Sequence, residues 1–173
     1  KINDLDNNDQ KNGKHIMNAL KRENFQRNCI VRGLNDATDE DWIIISDLDE
    51  IPNLKNSGLK NIKSPIVLFK QLMMYYKFNL ILENYSWVGS KACKKKTLKS
   101  PQWLRNIKDR AYPWWRLDVF FSENKYIKIK IIENGGWHFS YLKSPEDIEK
   151  KLKSYLHHTE YELNPVGVKN IKK

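Results

Sequence analysis

The sequence contains few cysteines and no long apolar run, and these shortages exclude several classes of protein. Two of its 173 residues are cysteine, Cys29 and Cys93, which is too few for a disulfide framework, and neither has the spacing of a zinc site. The longest apolar stretch, residues 65–76, is interrupted by Lys70 and Gln71. No segment therefore approaches the roughly 20 apolar residues that span a bilayer. We expect any membrane-spanning anchor to lie in a segment that is not present in this sequence.

Nucleic-acid binding is also poorly supported, although the formal net charge is +10. Such a charge attracts phosphate-bearing partners in general. The densest basic cluster is formed by Lys91, Lys94, Lys95 and Lys96. It lacks the interleaved aromatic residues and the recognition motifs that nucleic-acid binders show. We interpret this cluster as a solvated loop and expect no nucleic-acid partner.

The overall composition is that of a folded globular chain with 40% hydrophobic and 12% aromatic residues. A chain of this length can bury one sizeable core. We predict a loose polar entry segment over residues 1–12, one folded domain over residues 13–163, and a basic tail over residues 164–173.

Periodicity predicts alternating helices and strands. Apolar residues at three- and four-residue steps predict a helix over residues 13–34. The apolar run over residues 42–45 predicts a strand buried on both faces. We further predict a short helix within residues 53–62, one bent strand or two over 65–82, a short helix over 101–107, strands over 126–132 and 137–142, and a helix from Ser144. Together these elements predict an α/β or mixed α+β layered domain.

Two aspartates follow the strand over residues 42–45 directly. The carboxyl edge of an open α/β sheet is where such folds bind ligands. Strand alternation would point Asp47 and Asp49 the same way and Leu48 inward. Two carboxylates plus a substrate diphosphate commonly hold a hard divalent cation, which acts as a Lewis acid. Turn formation is the alternative explanation, but a turn alone would not need three acids in four residues.

Two motifs in order carry a family resemblance. The first is Ile43-Ile44-Ile45-Ser46-Asp47-Leu48-Asp49-Glu50-Ile51-Pro52, and the second is Gly135-Gly136-Trp137-His138-Phe139-Ser140-Tyr141. Together they resemble glycosyltransferase family 17, the family of the bisecting β-1,4-N-acetylglucosaminyltransferase of N-glycan synthesis. The resemblance implies that the folded domain is catalytic, with a GT-A-like, Rossmann-related fold and a mixed central sheet. It also implies a UDP-sugar donor, Mn²⁺ or Mg²⁺, and inversion at the anomeric carbon.

The resemblance also suggests roles for individual residues. It assigns Asp47 and Asp49 to the metal motif, and it implies by analogy that His138 is a further metal ligand. The alternative for His138 is a core histidine bonded to backbone. Arg105 resembles a family arginine that would grip the donor phosphates in a bidentate manner, with Ser46 as a second donor-binding residue. A surface ion pair is the alternative for Arg105.

Proton transfer and acceptor binding need further residues. An inverting displacement requires a base for the acceptor hydroxyl, and we predict Glu50 for this role with Asp118 as a second candidate. The alternative for Glu50 is a residue that orients the other groups of the site. Trp87, Tyr76 and Trp137 are our candidates for stacking on an acceptor glycan, with core packing as the alternative.

The sequence departs from the family in places. The first strand of the family's nucleotide-binding sheet has no counterpart here, and the glycan-facing loops are shorter than in the animal enzymes. The acceptor and the cellular compartment therefore stay open: a microbial or viral protein would act in the cytoplasm or at a membrane, and an animal one in the Golgi lumen. A non-catalytic carbohydrate-binding fragment and a haloacid-dehalogenase-type phosphatase are the alternative functions.

Overall fold

The computed structural model describes residues 2–55, 57–154 and 167–168 of the chain. Within them, three α-helices and six strands follow one another as α1 (Ile2–Asn28), β1 (Trp42–Ile45), β2 (Glu50–Pro52), β3 (Ile66–Tyr75), β4 (Ile81–Lys94), α2 (Pro101–Asn106), β5 (Ile129–Ile132), β6 (Gly136–Ser140) and α3 (Pro145–Ser154). Short 3-10 helices occur at Cys29–Gly33, Leu59–Asn61, Lys95–Thr97 and Leu117–Val119. None of the helices within these described residues combines the length and apolar character that crossing a membrane requires.

Residue contacts divide the chain into two compact units. One unit is Asn28–Leu142, which contains all the strands named above and every candidate site residue. The other comprises Lys1–Arg27 and Lys143–Lys173. The domain boundaries predicted at residues 13 and 163 stay predictions, and most of the predicted basic tail lies outside the described residues.

The helix predicted over residues 13–34 begins earlier in the structure, where α1 starts at Ile2. The polar residues 2–12 therefore belong to the same helix as residues 13–28. Lack of apolar periodicity does not prevent helix formation, since adding residues to an existing helix is easier than nucleating one.

The strands form a mixed sheet, as predicted, in the order β1-β4-β3-β6-β2, with β5 pairing separately with β3. Strand β4 is antiparallel to both β1 and β3, so β1 and β3 run in the same direction. Strands β5 and β6 both pair in parallel with β3. The carboxyl ends of β1, β3, β5 and β6 therefore point toward one edge of the sheet, where the Asp47-Leu48-Asp49-Glu50 sequence follows β1.

A pair of glycines lets the chain pass from β5 to β6 along the same side of β3. Gly136 has a φ of +132°, and a Cβ there would lie 2.1 Å from the carbonyl oxygen of Ile51. The amide of Gly135 donates to the carbonyl of Lys70 at 2.7 Å. Because only glycine fits this close approach, β6 can align with both β3 and β2.

Apolar side chains cover both faces of the sheet. The larger core consists of Ile43, Ile45, Ile66, Leu68, Cys93, Trp103, Leu104 and Ile107. The second core consists of Val67, Phe69, Ala92 and Ile132, against which Trp42 and Ile44 pack only in part. Strand β1 is thus fully buried on one face and partly on the other, because it lies at the end of the described strand order. Burying one such aliphatic side chain contributes about 1.5–3 kcal/mol.

Two local predictions about helix starts are confirmed. Helix α2 begins at Pro101, and the hydroxyl of Ser100 accepts from the amide of Trp103 at 3.1 Å. In front of α3, the hydroxyl of Ser144 accepts from the amide of Asp147 at 3.1 Å and donates to its carboxylate at 2.8 Å. Such caps depend on neighbouring residues alone, which makes them readable from sequence.

The two cysteines should differ sharply in reactivity. Cys93 is fully buried within β4, and burial raises the pKa of its thiol to about 12. Cys29 is only half-buried. Because the thiolate is the reactive form, we expect Cys93 to react with Ellman's reagent at pH 8 at least about 100-fold more slowly than Cys29. Adding denaturant should release the second thiol. The Cys29→Ser variant serves as control and should show no rapid phase, and rapid labelling of both thiols in native protein would contradict the buried position of Cys93.

Candidate functional site

The acidic residues after β1 form a tight turn rather than an extended strand. The amide of Glu50 donates to the carbonyl of Asp47 at 3.0 Å, and the amide of Asp47 donates back to the Glu50 carboxylate at 3.1 Å. This turn interrupts the strand alternation from which the inward orientation of Leu48 is predicted. Leu48, predicted to point inward, is fully exposed. That prediction was wrong because period two applies only while the backbone stays extended.

Glu50 and Arg105 form a buried bidentate ion pair beside this turn. The Nη1 atom of Arg105 lies 2.9 Å from one Glu50 oxygen, and its Nη2 atom lies 3.1 Å from the other. Nη2 also donates to the Asp47 carboxylate at 2.7 Å, and Nη1 donates to the carbonyl of Gly89. The Glu50 side chain is only 1% exposed and that of Arg105 only 11%. Arg105 therefore forms a buried ion pair rather than a surface one, and its planar guanidinium binds the Glu50 carboxylate in a bidentate manner.

A buried lysine fixes the end of α2 from which Arg105 projects. The ammonium of Lys91 donates to the carbonyl of Arg105 at 2.9 Å and to that of Ile107 at 2.5 Å. It also pairs with Asp109 at 2.8 Å. Burial lowers the pKa of Lys91, and the contact with Asp109 opposes this shift. The interpretation of Lys91 as part of a solvated loop was wrong.

The apolar residues Val88, Ala92 and Cys93 around Lys91 were the signal that it belongs to a buried strand. Residues 88–94 lie within β4, and Lys91 pairs with Leu68 of the central strand β3. A lysine on the covered face of a sheet satisfies its three donors with carbonyl and carboxylate oxygens, as Lys91 does. Its position on β4 thus links the sheet to α2.

Trp87 and His138 lie on the other side of the Glu50 carboxylate. The indole N–H of Trp87 donates to Glu50 at 2.8 Å. The Trp87 and His138 rings stack with centroids 5.2 Å apart at an interplanar angle of 33°. His138 pairs with Glu50 across β2 and β6. It is buried, and its Nδ1 atom has no hydrogen-bond partner.

Asp49 is drawn toward His138 by the backbone. The amide of Phe139 donates to the carbonyl of Asp49 at 2.8 Å, which fixes the turn against β6. The Asp49 carboxylate then lies 3.4 Å from His138 Nε2 while remaining 41% exposed. This pair therefore presents one oxygen and one nitrogen at the border between protein and solvent.

Gly89 of β4 lies against the side chains of Glu50 and Gln71, which leave no space for a Cβ atom. A Cβ at this position would lie 2.4 Å from Gln71 Oε1 and 2.5 Å from the Glu50 carboxylate. Gln71 is fully buried and donates from Nε2 to the hydroxyl of Ser90 at 3.1 Å, and Ser46 donates to the same hydroxyl at 2.7 Å. The side chain of Ser46, which was predicted to bind the UDP-sugar donor, is thus held by its hydrogen bond to Ser90.

Three other predicted residues lie apart from this cluster. Asp118 pairs with Arg116 at 2.8 Å and with Lys125 at 2.5 Å, and these cations lower the pKa of its carboxyl to about 2. Trp137 is exposed and alternates with the buried His138 and Ser140, so it lies on the opposite face of β6.

Tyr76 follows β3 with a φ of +63°, which is strained for a residue with a side chain. Its amide donates to the carbonyl of Ser140 at 3.0 Å. Its ring lies 4.7 Å from that of Tyr75 and 6.1 Å from that of Tyr141. Tyr76 therefore belongs to a tyrosine cluster at the carboxyl ends of β3 and β6.

The cluster carries an excess of negative charge. Three carboxylates, those of Asp47, Asp49 and Glu50, face one guanidinium, that of Arg105. Such an arrangement attracts cations and repels a bare phosphate group. Within the described part of the chain, no group of three or more histidine, cysteine or acidic side chains is gathered around one point that could hold a metal ion. Asp47, Asp49 and His138, predicted together as ligands, therefore do not form one such group.

Comparisons with known proteins add no identification. Neither a family model, nor a curated protein, nor a solved structure matches this chain. The assignment of function therefore depends on the residues and contacts of the site itself.

Proposed function

We propose that this chain is an inverting glycosyltransferase of the GT-A type that uses a UDP-sugar and a divalent metal ion. The observation that carries the proposal is the acidic turn after β1, which holds Asp49 beside His138 at the solvent border. The mixed sheet and the resemblance of both motifs to glycosyltransferase family 17 support it further. We favour N-acetylglucosamine as the transferred sugar and a carbohydrate hydroxyl as the acceptor.

The implied metal ion fits two of the three predicted ligands. Asp49 and His138 offer an oxygen and a nitrogen 3.4 Å apart, a separation that one ion can bridge. Mg²⁺ and Mn²⁺ commonly take one or two protein ligands and complete their shell with substrate phosphates and water. The Asp47 carboxylate already accepts from Arg105, so Asp49 and His138 are the residues that would hold the ion. When bound, the ion would neutralise the departing diphosphate.

The protein residues around this ion would mainly provide position and charge. Arg105 holds the Asp47 and Glu50 carboxylates in fixed places. Glu50 in turn orients the indole of Trp87, whose ring packs on His138. An enclosed carboxylate with four hydrogen-bond donors suits this positioning role better than proton transfer from an acceptor. Asp118 is occupied by its own cations away from the turn.

The proposal predicts that UDP binding depends on metal. Because negative charge exceeds positive charge in the cluster, a diphosphate without a cation should be repelled. We expect the affinity for UDP with Mn²⁺ to exceed that with EDTA by at least about 100-fold, which corresponds to roughly 2.7 kcal/mol. Isothermal titration calorimetry measures both values. Equal affinities in the two conditions would contradict the metal-bridged donor site.

A carbohydrate-binding role without transfer is the second candidate. One observation favours it, namely that both terminal nitrogens of Arg105 already donate to the Asp47 and Glu50 carboxylates. In that case UDP should not bind under either condition, while immobilised oligosaccharides should retain the protein. Hydrolysis of UDP-N-acetylglucosamine in the absence of an acceptor would exclude this candidate.

A further inference from the structure

One segment of the larger unit exposes an unusual amount of apolar surface. We call residues 113–121 the aromatic segment. Its large exposed side chains are Trp114, Trp115, Leu117, Phe120 and Phe121, each between 66% and 90% exposed. Single exposed apolar residues are normal, but a continuous group of this size usually marks an interaction surface. None of these residues contributes to the cluster around Glu50.

The aromatic segment is held in a defined conformation. Tyr112 and Val119 are both only 6% exposed and anchor it to the unit. Successive turns are closed by hydrogen bonds from the amides of Arg116 and Val119 to the carbonyls three residues earlier, at 3.2 and 3.1 Å. The rings of Trp114 and Trp115 meet edge to face at 6.1 Å. The apolar side chains are therefore presented outward by an anchored backbone.

Three basic side chains lie close to Tyr112, which anchors the aromatic segment. Arg110, Arg116 and Lys125 lie 4.9, 5.5 and 5.7 Å from the centre of the Tyr112 ring. Asp118 pairs with Arg116 and Lys125, and thus offsets only part of this charge. These four side chains together therefore carry a net positive charge next to Tyr112.

An apolar cavity adjoins the same side chains. It has a volume of about 410 Å³ and is lined by Val119, Phe120 and Ile127 among others, with Lys125 and Lys128 also part of its lining. Apolar walls next to basic residues suit a molecule that has a hydrocarbon part and an anionic head. This combination matches a phospholipid better than a soluble sugar phosphate.

We propose that the aromatic segment docks this protein on the surface of a membrane containing anionic phospholipids. Tryptophan and phenylalanine rings would enter the interface, where amphipathic aromatic residues are favoured. Arg110, Arg116 and Lys128 would face the lipid phosphates. A second copy of this chain is a less favourable partner for this surface, because the net charge of +10 makes two copies repel each other. This docking is independent of the proposed transfer reaction.

The test is flotation of the full chain with vesicles of phosphatidylcholine, with or without about 30% phosphatidylglycerol. We expect binding to the anionic vesicles that weakens as salt rises, together with a blue shift of tryptophan emission. Trp114→Ser combined with Phe121→Ser should reduce partitioning by at least about tenfold. Phe25→Ser is the matched control, because Phe25 is exposed but lies in the other unit.

Charge is tested separately. Arg110→Ser and Lys128→Ser should each weaken binding by about fivefold, whereas Lys63→Ser, another exposed position, should not. Absence of binding to anionic vesicles, or equal binding to neutral ones, would overturn the proposal. Sedimentation velocity of the protein without vesicles completes the test, because a dimer abolished by the Trp114→Ser and Phe121→Ser pair would assign the surface to a second copy instead.

Discussion

Replacing Arg105 with methionine should lower the free energy of unfolding by about 3–5 kcal/mol. The Glu50 side chain is 1% exposed and would keep its charge without the guanidinium that lies 2.9 Å away. Removing one partner of a buried ion pair costs far more than the pair itself contributes. Urea denaturation followed by tryptophan fluorescence measures the change.

Two further variants separate this effect from general damage. Arg110→Met alters an exposed arginine of the same unit and should change stability by less than about 0.5 kcal/mol. The combination of Arg105→Met with Glu50→Gln removes both charges and should recover part of the loss, since no unpaired buried charge remains. A loss below about 1 kcal/mol for Arg105→Met alone would show that the ion pair is not buried as described.

Asp49→Asn should abolish the Mn²⁺-dependent binding of UDP. His138→Ala should lower the affinity for UDP in the presence of Mn²⁺ by at least about 100-fold. The Asp49 carboxylate and His138 Nε2 lie 3.4 Å apart, and under the proposed function these two side chains would hold the ion. Because Asp49 is 41% exposed, its replacement should cost no more than about 1–2 kcal/mol of stability. Calorimetry with UDP and Mn²⁺ measures binding, and thermal melting measures stability.

The control for lost charge is Asp36→Asn, an exposed aspartate away from the turn, which should leave metal-dependent binding unchanged. His138 needs a stricter criterion because it is buried and stacked on Trp87. If His138→Ala melts far below the wild type and its folded fraction still binds UDP with Mn²⁺ normally, the histidine is structural. Asp49→Asn protein with wild-type Mn²⁺ affinity would show that the acids only form a turn.

Patterns among neighbouring residues predicted the local features of this protein. The apolar residues Trp42 to Ile45 were predicted as a strand, and β1 has those bounds. A short helix was predicted over residues 101–107 and another from Ser144, and α2 begins at Pro101 while Ser144 caps α3. Each of these features depends on a few adjacent residues, so their physical cause is contained in a short stretch of sequence.

Pattern reasoning failed where the backbone left its regular form or where distant residues met. Leu48 faces solvent because a hydrogen-bonded turn interrupts the strand. Lys91 is buried because α2 covers it and supplies carbonyl oxygens. Neither event leaves a periodic signal, since a turn breaks periodicity and a covering element is identified only by its packing.

The sequence by itself determined which chemical groups follow β1, namely three carboxylates within the four residues 47–50, and it placed them at the end of a buried strand. Tertiary structure alone decided what each carboxylate does. Glu50 meets an arginine 55 residues away, Asp47 shares that arginine, and Asp49 lies beside His138. The roles differ because burial and partner charge depend on which strands and helices pack together, and no local pattern encodes that packing.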